Sequence, residues 1–465
     1  MDVLNLRLNN RGNIALTARR KGNGRLVSEP IELTLDAIDN QLLDDTDGDL
    51  RRTVTSFGTR IITQHIPATH SAGVSMWVPV GSRDETPEVA GSTHFLEHLL
   101  FKGTDTRSAF DIAESFDRVG GETNAETAKE HTAYWARVVS TDLTMAVGTI
   151  ADMLTNSLLD PAEFEMERGV ILDELAMSKD SPTENVHEAF QQAIHGDTPL
   201  GRPVGGTPDI ISAVSRDKVF EHYHRHYAPN NLIVAVAGDI EHEAVVNMVT
   251  DALSASNWAS QLKSSSRPRQ RRSKLATNEG VQSAEIVRRR DVEQAHVVIG
   301  TRGFRALADE LPTFNVLLNV LGGSMSSRLF QEVREKRGLA YTTYAFGSSY
   351  AETGSFGMYA GTSPAKVDEV EKLMRSQLEL LASEGPTASE MERVRGQVRG
   401  SVVLSQEDNW SRMMLIGRAE VSGRYKSIEQ AIDAINQVSA EDVKAMATDL
   451  ARRNFSRALV LPNNA

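Results

Sequence analysis

The feature that most restricts how this chain can fold is an internal repeat. DPAEFEMERG at 160–169 returns as GPTASEMERV at 385–394, an offset of 225 residues. The same offset sets HTAYWARV (131–138) on FGMYAGTS (356–363), with Tyr134 on Tyr359, and NLIVAVAG (231–238) on SRALVLPN (456–463). At 465 residues the chain exceeds one compact domain, and a repeat of this length makes it two copies of one α/β unit. In the first copy RIITQHI (60–66) and AGVSMWVPVG (72–81) carry strand patterning, and EFEMERGVILDEL (163–175) that of an amphipathic helix. The copies are expected at 51–260 and 281–465, joined by a polar, basic linker at 261–280 and preceded by a disordered leader at 1–50.

The net charge of −13 argues against a nucleic-acid partner, which needs a basic surface to neutralise phosphates, and against an anionic membrane. In that acidic context RPRQRRSK (267–274) is read as a solvated part of the linker. The chain has no cysteine, so any metal must be held by His, Asp or Glu. No apolar run nears the roughly 20 residues that span a bilayer, and the first residues lack the apolar segment of a secretory signal. They are rich in Arg and poor in acids, as a mitochondrial presequence would also be.

GSTHFLEHLLFKGT (91–104) holds the densest chemistry. On a helix, His94 and His98 project from one face and can offer two imidazole nitrogens to one ion. Glu97 lies on the flank of that face, placed to reach a water rather than the ion. A catalytic zinc takes three protein ligands and leaves a position open for water, whose proton a nearby carboxylate takes as the water attacks a carbonyl. HFLEH mirrors HExxH and is itself a zinc-peptidase signature. The third ligand should be an acid on another element, and the 163–175 segment offers Glu167, Asp173 and Glu174. Glu167 and Glu174 share a helix face and Asp173 is turned away from both; helix geometry does not choose between Glu167 and Glu174. The repeat is informative here. It sets His94 on Asn319, Glu97 on Gly322, His98 on Gly323 and Glu174 on Arg399, so the second copy keeps the scaffold without the candidate ligands. Packing therefore does not require HFLEH, and the weight moves to chemistry.

Over residues 52–465 the chain resembles the pitrilysin/insulinase family of zinc metallopeptidases, in the branch of the mitochondrial processing peptidase beta subunit and its bacterial homologues. GSTHFLEHLLFKGT, PLGRPVGGTPDIISAVSRD (199–217) and YAPNNLIVAVAGD (227–239) carry the resemblance. It implies two homologous α/β domains, each a mainly antiparallel sheet backed by helices. It implies an endopeptidase that takes peptides or unfolded polypeptide segments into a closed chamber. It further implies one Zn2+ per chain on His94, His98 and Glu174, since the family's third ligand stands about 76 residues after the second histidine. Glu97 is then the general base, and Glu167 a neighbouring carboxylate that fixes a ligand. The family binds peptides by strand addition to a sheet edge, which GGETNAETAKEHTAYW would supply, with Asn124 and Ala125 at its centre. In the second copy EVREKRGLAYTTYAF carries Arg334 and Tyr341, spaced like a pair that related enzymes hold against substrate carbonyls. In a chain of this length that pair is expected to act in trans, within a homodimer or a heterodimer with an inactive homologue. The alternative is a catalytically inactive structural or peptide-binding subunit; such members lose ligands or the base, and this chain retains the set. The expected location is the bacterial cytoplasm, with the mitochondrial matrix as the alternative.

Three other signals are read as structural. HYHRHY (222–227) has no acid at a telling spacing, and LGGSMSSRLF (321–330) lacks the phosphate-loop pattern. DDTDGDL (44–50) has Leu50 where a calcium loop needs Gly and Ser56 where it needs Glu. His131 lies beside the presumed edge strand, where it is expected either near the substrate or packed at the rim or in the core.

Overall fold

The computed structural model describes residues 19–20, 26–27, 29–46, 48–272 and 283–464. Period-2 alternation of apolar residues builds two sheets. The first contains β1 (Ile38–Asp44), β2 (Leu50–Val54), β3 (Arg60–His65), β4 (Ser71–Val78), β5 (Glu122–Thr127), β6 (Thr132–Val139) and β7 (Ile233–Gly238). Their order is β1-β2-β3-β7-β4-β6-β5. The second contains β8 (Glu285–Arg290), β9 (Ala295–Arg302), β10 (Ala340–Ser349), β11 (Gly354–Thr362) and β12 (Ser456–Pro462), in the order β8-β12-β9-β11-β10. In each sheet one pair is parallel, β3 with β7 and β8 with β12, and the other pairs are antiparallel. The β3-to-β5 part of the first sheet thus has the topology of the whole second sheet, which is the repeat in structural form.

Both faces of both sheets are covered. Ile61, Val74, Met76 and Val234 face a core shared with the Ser92–Leu100, Leu143–Asn156 and His242–Ser254 helices, while Ile62, Trp77 and Ala235 face the other way. That second face is closed by the Asn409–Ser422 helix, through Met413, Met414 and Ile416. The Pro182–His195 helix does the reciprocal job, setting Val186, Phe190 and Ile194 against Val298, Ala458 and Val460 of the second sheet. Each half therefore gives a helix to the other's sheet, and the segments 51–260 and 281–465 do not pack as separate bodies. Gly417 lets one of these contacts close, because a Cβ there would stand 2.5 Å from the Trp77 indole; a Cβ on Gly300 would stand 2.6 Å from Phe190.

Three expectations need correction. Residues 29–46 and 48–50 are not a disordered leader: β1 pairs with β2, Ile31–Glu32 pairs with Arg424–Tyr425, and Leu33 and Leu50 are buried. Polar side chains on a half-covered edge strand hid this order; residues 1–18 lie outside the described residues. The linker is not simply solvated either. Arg271 donates to Glu420 and Arg272 to Asp84, whereas the linker residues 273–280 lie outside the described residues. Finally, Tyr134 and Tyr359 are not equivalents. Tyr134 faces the core beneath the Ser92–Leu100 helix and Tyr359 faces the Pro182–His195 helix, so the constant offset slips in this strand, where a slip of one residue exchanges faces. No helix among the described residues is long and apolar enough to cross a membrane.

Candidate metal centre

The Ser92–Leu100 helix buries Phe95, Leu96, Leu99 and Leu100, and this turns His94, Glu97 and His98 outward. Its start has no side-chain cap of its own. Gly91 (φ 99°) takes the cap position, where a Cβ would meet the Gly205 carbonyl at 2.7 Å. The buried carboxylate of Glu85 supplies the missing acceptors, taking the amide hydrogens of Gly91 at 2.7 Å and Thr93 at 2.6 Å. The Pro161–Asp180 helix begins with Pro161 in its first turn and Asp160 as cap, accepting from Ala162 and Glu163. Its Phe164 stacks on Phe95 with ring centroids 4.4 Å apart, which brings the acidic face of this helix to the two histidines.

There Glu174 Oε2 lies 3.7 Å from His94 Nε2 and 3.4 Å from His98 Nε2. One donor atom from each of the three side chains falls within 4.8 Å of the others. Glu167 does not join this cluster. It is buried, accepts from His98 Nδ1 at 3.0 Å and is paired with Lys102 at 2.7 Å. The hydrogen bond fixes the His98 tautomer and leaves its Nε2 lone pair facing the cluster. Geometry thus separates the two acids that helix periodicity left equivalent. Asp173 belongs to no such group among the described residues. Burial, then the adjacent His98, holds His94 below its ordinary value against the pull of Glu174, so its imidazole is neutral at pH 7. Glu97 sits beside the cluster and accepts from Thr127 Oγ1 at 2.5 Å; burial pushes its carboxyl up, with the Thr127 hydrogen bond opposing.

His94, Glu97 and Glu174 line a cleft of about 580 Å³ whose other walls include Lys129 and, from the Pro182–His195 helix, His187. Lys129 donates to the Arg202 carbonyl, and burial lowers it to about 8. Asn124 and Ala125 lie in β5, which is the free edge of the first sheet, beside Thr127. Arg334 and Tyr341 are elsewhere: the guanidinium lies 4.5 Å from the Tyr341 ring centroid, Tyr341 is 74% exposed, and neither lines the cleft at His94. His131 contacts Glu126 at 3.2 Å. His222 and His226 are buried, and His222 reaches Thr93 Oγ1 at 3.1 Å. Sequence reasoning missed Glu85 and Thr127. Nothing in SRDETPEVAG (82–91) marks Glu85 as the acceptor for a helix that follows it.

Residues 60–208 match the insulinase family (peptidase family M16), and residues 213–398 match the peptidase M16 inactive domain. A protein named as an uncharacterized zinc protease in Streptomyces coelicolor is 44% identical over 416 residues, covering 89% of this chain and 90% of the relative. Proteins given the same description in Mycobacterium tuberculosis and Bacillus subtilis are 41% and 35% identical, each across 89% of this chain and across 94% and 98% of the relative. Among solved structures, a protease from Helicobacter pylori superposes with a TM-score of 0.81 at 20% identity, covering 89% of this chain and 99% of that one. The peptidase M16 inactive domain from Pseudomonas fluorescens gives 0.79 at 17%, covering 89% and 98%. At those identities the two structures speak to the fold alone.

Proposed function

We propose, from the premise that this chain belongs to the insulinase family of M16 peptidases, that it is a zinc-dependent endopeptidase acting on peptides or unstructured polypeptide segments. The observation that carries the reading is the convergence of two imidazole Nε2 atoms and the Glu174 carboxylate beside Glu97. Two imidazoles and one carboxylate suit zinc, and Glu167 presets one of the imidazoles for it. When bound, zinc would supply a Lewis acid that acidifies water and polarises the scissile carbonyl. Glu97 takes the proton of the attacking water and returns it to the leaving amine. The Thr127 hydroxyl, donating to the Glu97 carboxylate, holds it toward the cleft. An extended substrate adds to the free edge of β5 at Asn124 and Ala125, with main-chain hydrogen bonds giving affinity at little sequence cost.

In this reading Arg334 and Tyr341 serve the site of a second copy in a homodimer, stabilising charge on the carbonyl oxygen. Their stacking on each other, outside the cleft at His94, supports a role in trans. The working location is the bacterial cytoplasm, with neither nucleic acid nor membrane as partner. The test is cleavage of a quenched-fluorescent peptide library by wild type and Glu97→Gln, with and without chelator. Chelator-sensitive cleavage that disappears in Glu97→Gln while the metal stays bound is expected. Absence of cleavage by wild type carrying stoichiometric zinc would sink the endopeptidase reading. For the dimer, mixing inactive Arg334→Ala with inactive Glu97→Gln should restore part of the activity after subunit exchange; no recovery removes the trans role.

A further inference from the structure

A second cavity, of about 380 Å³, lies between the two halves and shares no lining residue with the cleft at His94. Arg60 and Arg83 of the first half line it, with Arg269, Arg271 and Arg272 of the connecting segment, and Glu130 and Glu352 are its lining carboxylates. The ion pairs around it do not balance. Glu420, fully buried, is shared by Arg52, Arg60 and Arg271. Arg83 takes Glu130 and Glu352, and Arg272 takes Asp84. Six guanidinium groups, counting Arg52 and Arg269, therefore meet four carboxylates. An excess of two positive charges sits in a chain whose net charge is −13. Arg269 is exposed, but Arg52, Arg60 and Glu420 are buried, and unbalanced charge inside the fold is ordinarily offset by a counter-charge.

One atom shows where the counter-charge belongs. Arg60 is 1% exposed and lines the cavity, and its Nε has no hydrogen-bond partner among the described residues. Arg269 meets His226 at 3.1 Å, and the carboxylate that feels its charge, Asp84, is already paired with Arg272. We propose that this interdomain cavity is a binding site for a small phosphate-class dianion, held by Arg60 and Arg269. Guanidinium forks match the oxygens of such a group, and a dianion closes the charge excess. The volume admits a small phosphorylated molecule as well as phosphate alone. The same β5–β6 turn reaches both sites: Thr127 donates to Glu97, and Glu130 lines this cavity.

The experiment is calorimetric titration of inorganic phosphate, and separately of sulfate, into the full chain at fixed low ionic strength. Arg269→Gln, Arg60→Met and His98→Ala are titrated alongside. One site per chain is expected, weakened about tenfold or more in both arginine variants and unchanged in His98→Ala. Should Arg60→Met fail to fold, Arg269→Gln, which removes an exposed side chain, decides. No saturable binding up to ~10 mM overturns the proposal. So does equal affinity in wild type and arginine variants, or a loss confined to His98→Ala, which would put the anion at the metal centre.

Discussion

Glu85 offers the sharpest test of how the metal-binding helix is held. Its carboxylate is 4% exposed and accepts the two amide hydrogens that open the Ser92–Leu100 helix. Burial pushes it up from 4.5 to about 7, and the hydrogen bonds from Thr93 and Gly91 pull the other way without winning. The sign follows from linkage. A carboxyl whose folded-state pKa is raised stabilises the fold fully below its unfolded value and loses that contribution as pH rises through the folded value. A shift from 4.5 to about 7 corresponds to about 3 kcal/mol, lost between roughly pH 4.5 and pH 8. Glu85→Gln removes the titration and keeps one acceptor, leaving one of the two amides unmet at a cost of about 1–3 kcal/mol. The wild type should therefore exceed the variant in stability most at pH 5. By pH 8.5 that gap should have shrunk by about 3 kcal/mol, closing or reversing. Urea unfolding of both metal-free proteins at the two pH values measures the gap, and the other titrating groups cancel in the difference. A gap that stays constant would refute the reasoning, because the two amide hydrogen bonds would then keep Glu85 ionised throughout.

Two further outcomes follow from the geometry. Glu167→Gln replaces the carboxylate that orients His98, so metal affinity by chelator competition should fall about 10- to 100-fold; unchanged affinity would mean that His98 is oriented by packing alone. Gly417→Val puts side-chain atoms into the space of the Trp77 indole and should cost about 1–3 kcal/mol, seen as a lower melting temperature, unless the Asn409–Ser422 helix can shift freely on the first sheet.

The sequence was most legible where a signal is local. Helical i, i+4 spacing placed His94 and His98 on one face, and strand patterning found RIITQHI and AGVSMWVPVG, which became β3 and β4. It was least legible where the answer depends on a partner far along the chain. Glu167 and Glu174 are equivalent by periodicity, and their difference arises because Lys102 and His98 Nδ1 are already against Glu167. Glu85 reads as a loop acid because its acceptor role is defined by a helix that begins seven residues later without a side-chain cap of its own. The helix exchange could not be read at all. The Asn409–Ser422 and Pro182–His195 helices have the same amphipathic logic wherever they dock, and Gly417 and Gly300 look like ordinary glycines until Trp77 and Phe190 are set against them.

The repeat also shows why one copy can carry a cleft and the other cannot. In the first half the Ser92–Leu100 helix meets β5 through a side-chain contact, Thr127 to Glu97, and polar groups with room around them face outward. In the second half the Leu311–Gly322 helix packs on β10 at backbone distance: a Cβ on Gly322 would stand 2.1 Å from the Ala345 amide nitrogen. The next residue, Gly323, is as tightly held, with Asn319 within 2.5 Å of such a Cβ. That helix also buries Phe314, Val316, Leu317, Val320 and Leu321. Arg399, which the offset sets against Glu174, is exposed. Restoring histidines and a glutamate to this helix would thus not rebuild a site, since the space those side chains need is filled by strand backbone. The two halves share a topology, but the distance between one helix and one edge strand decides which of them leaves a cleft for chemistry.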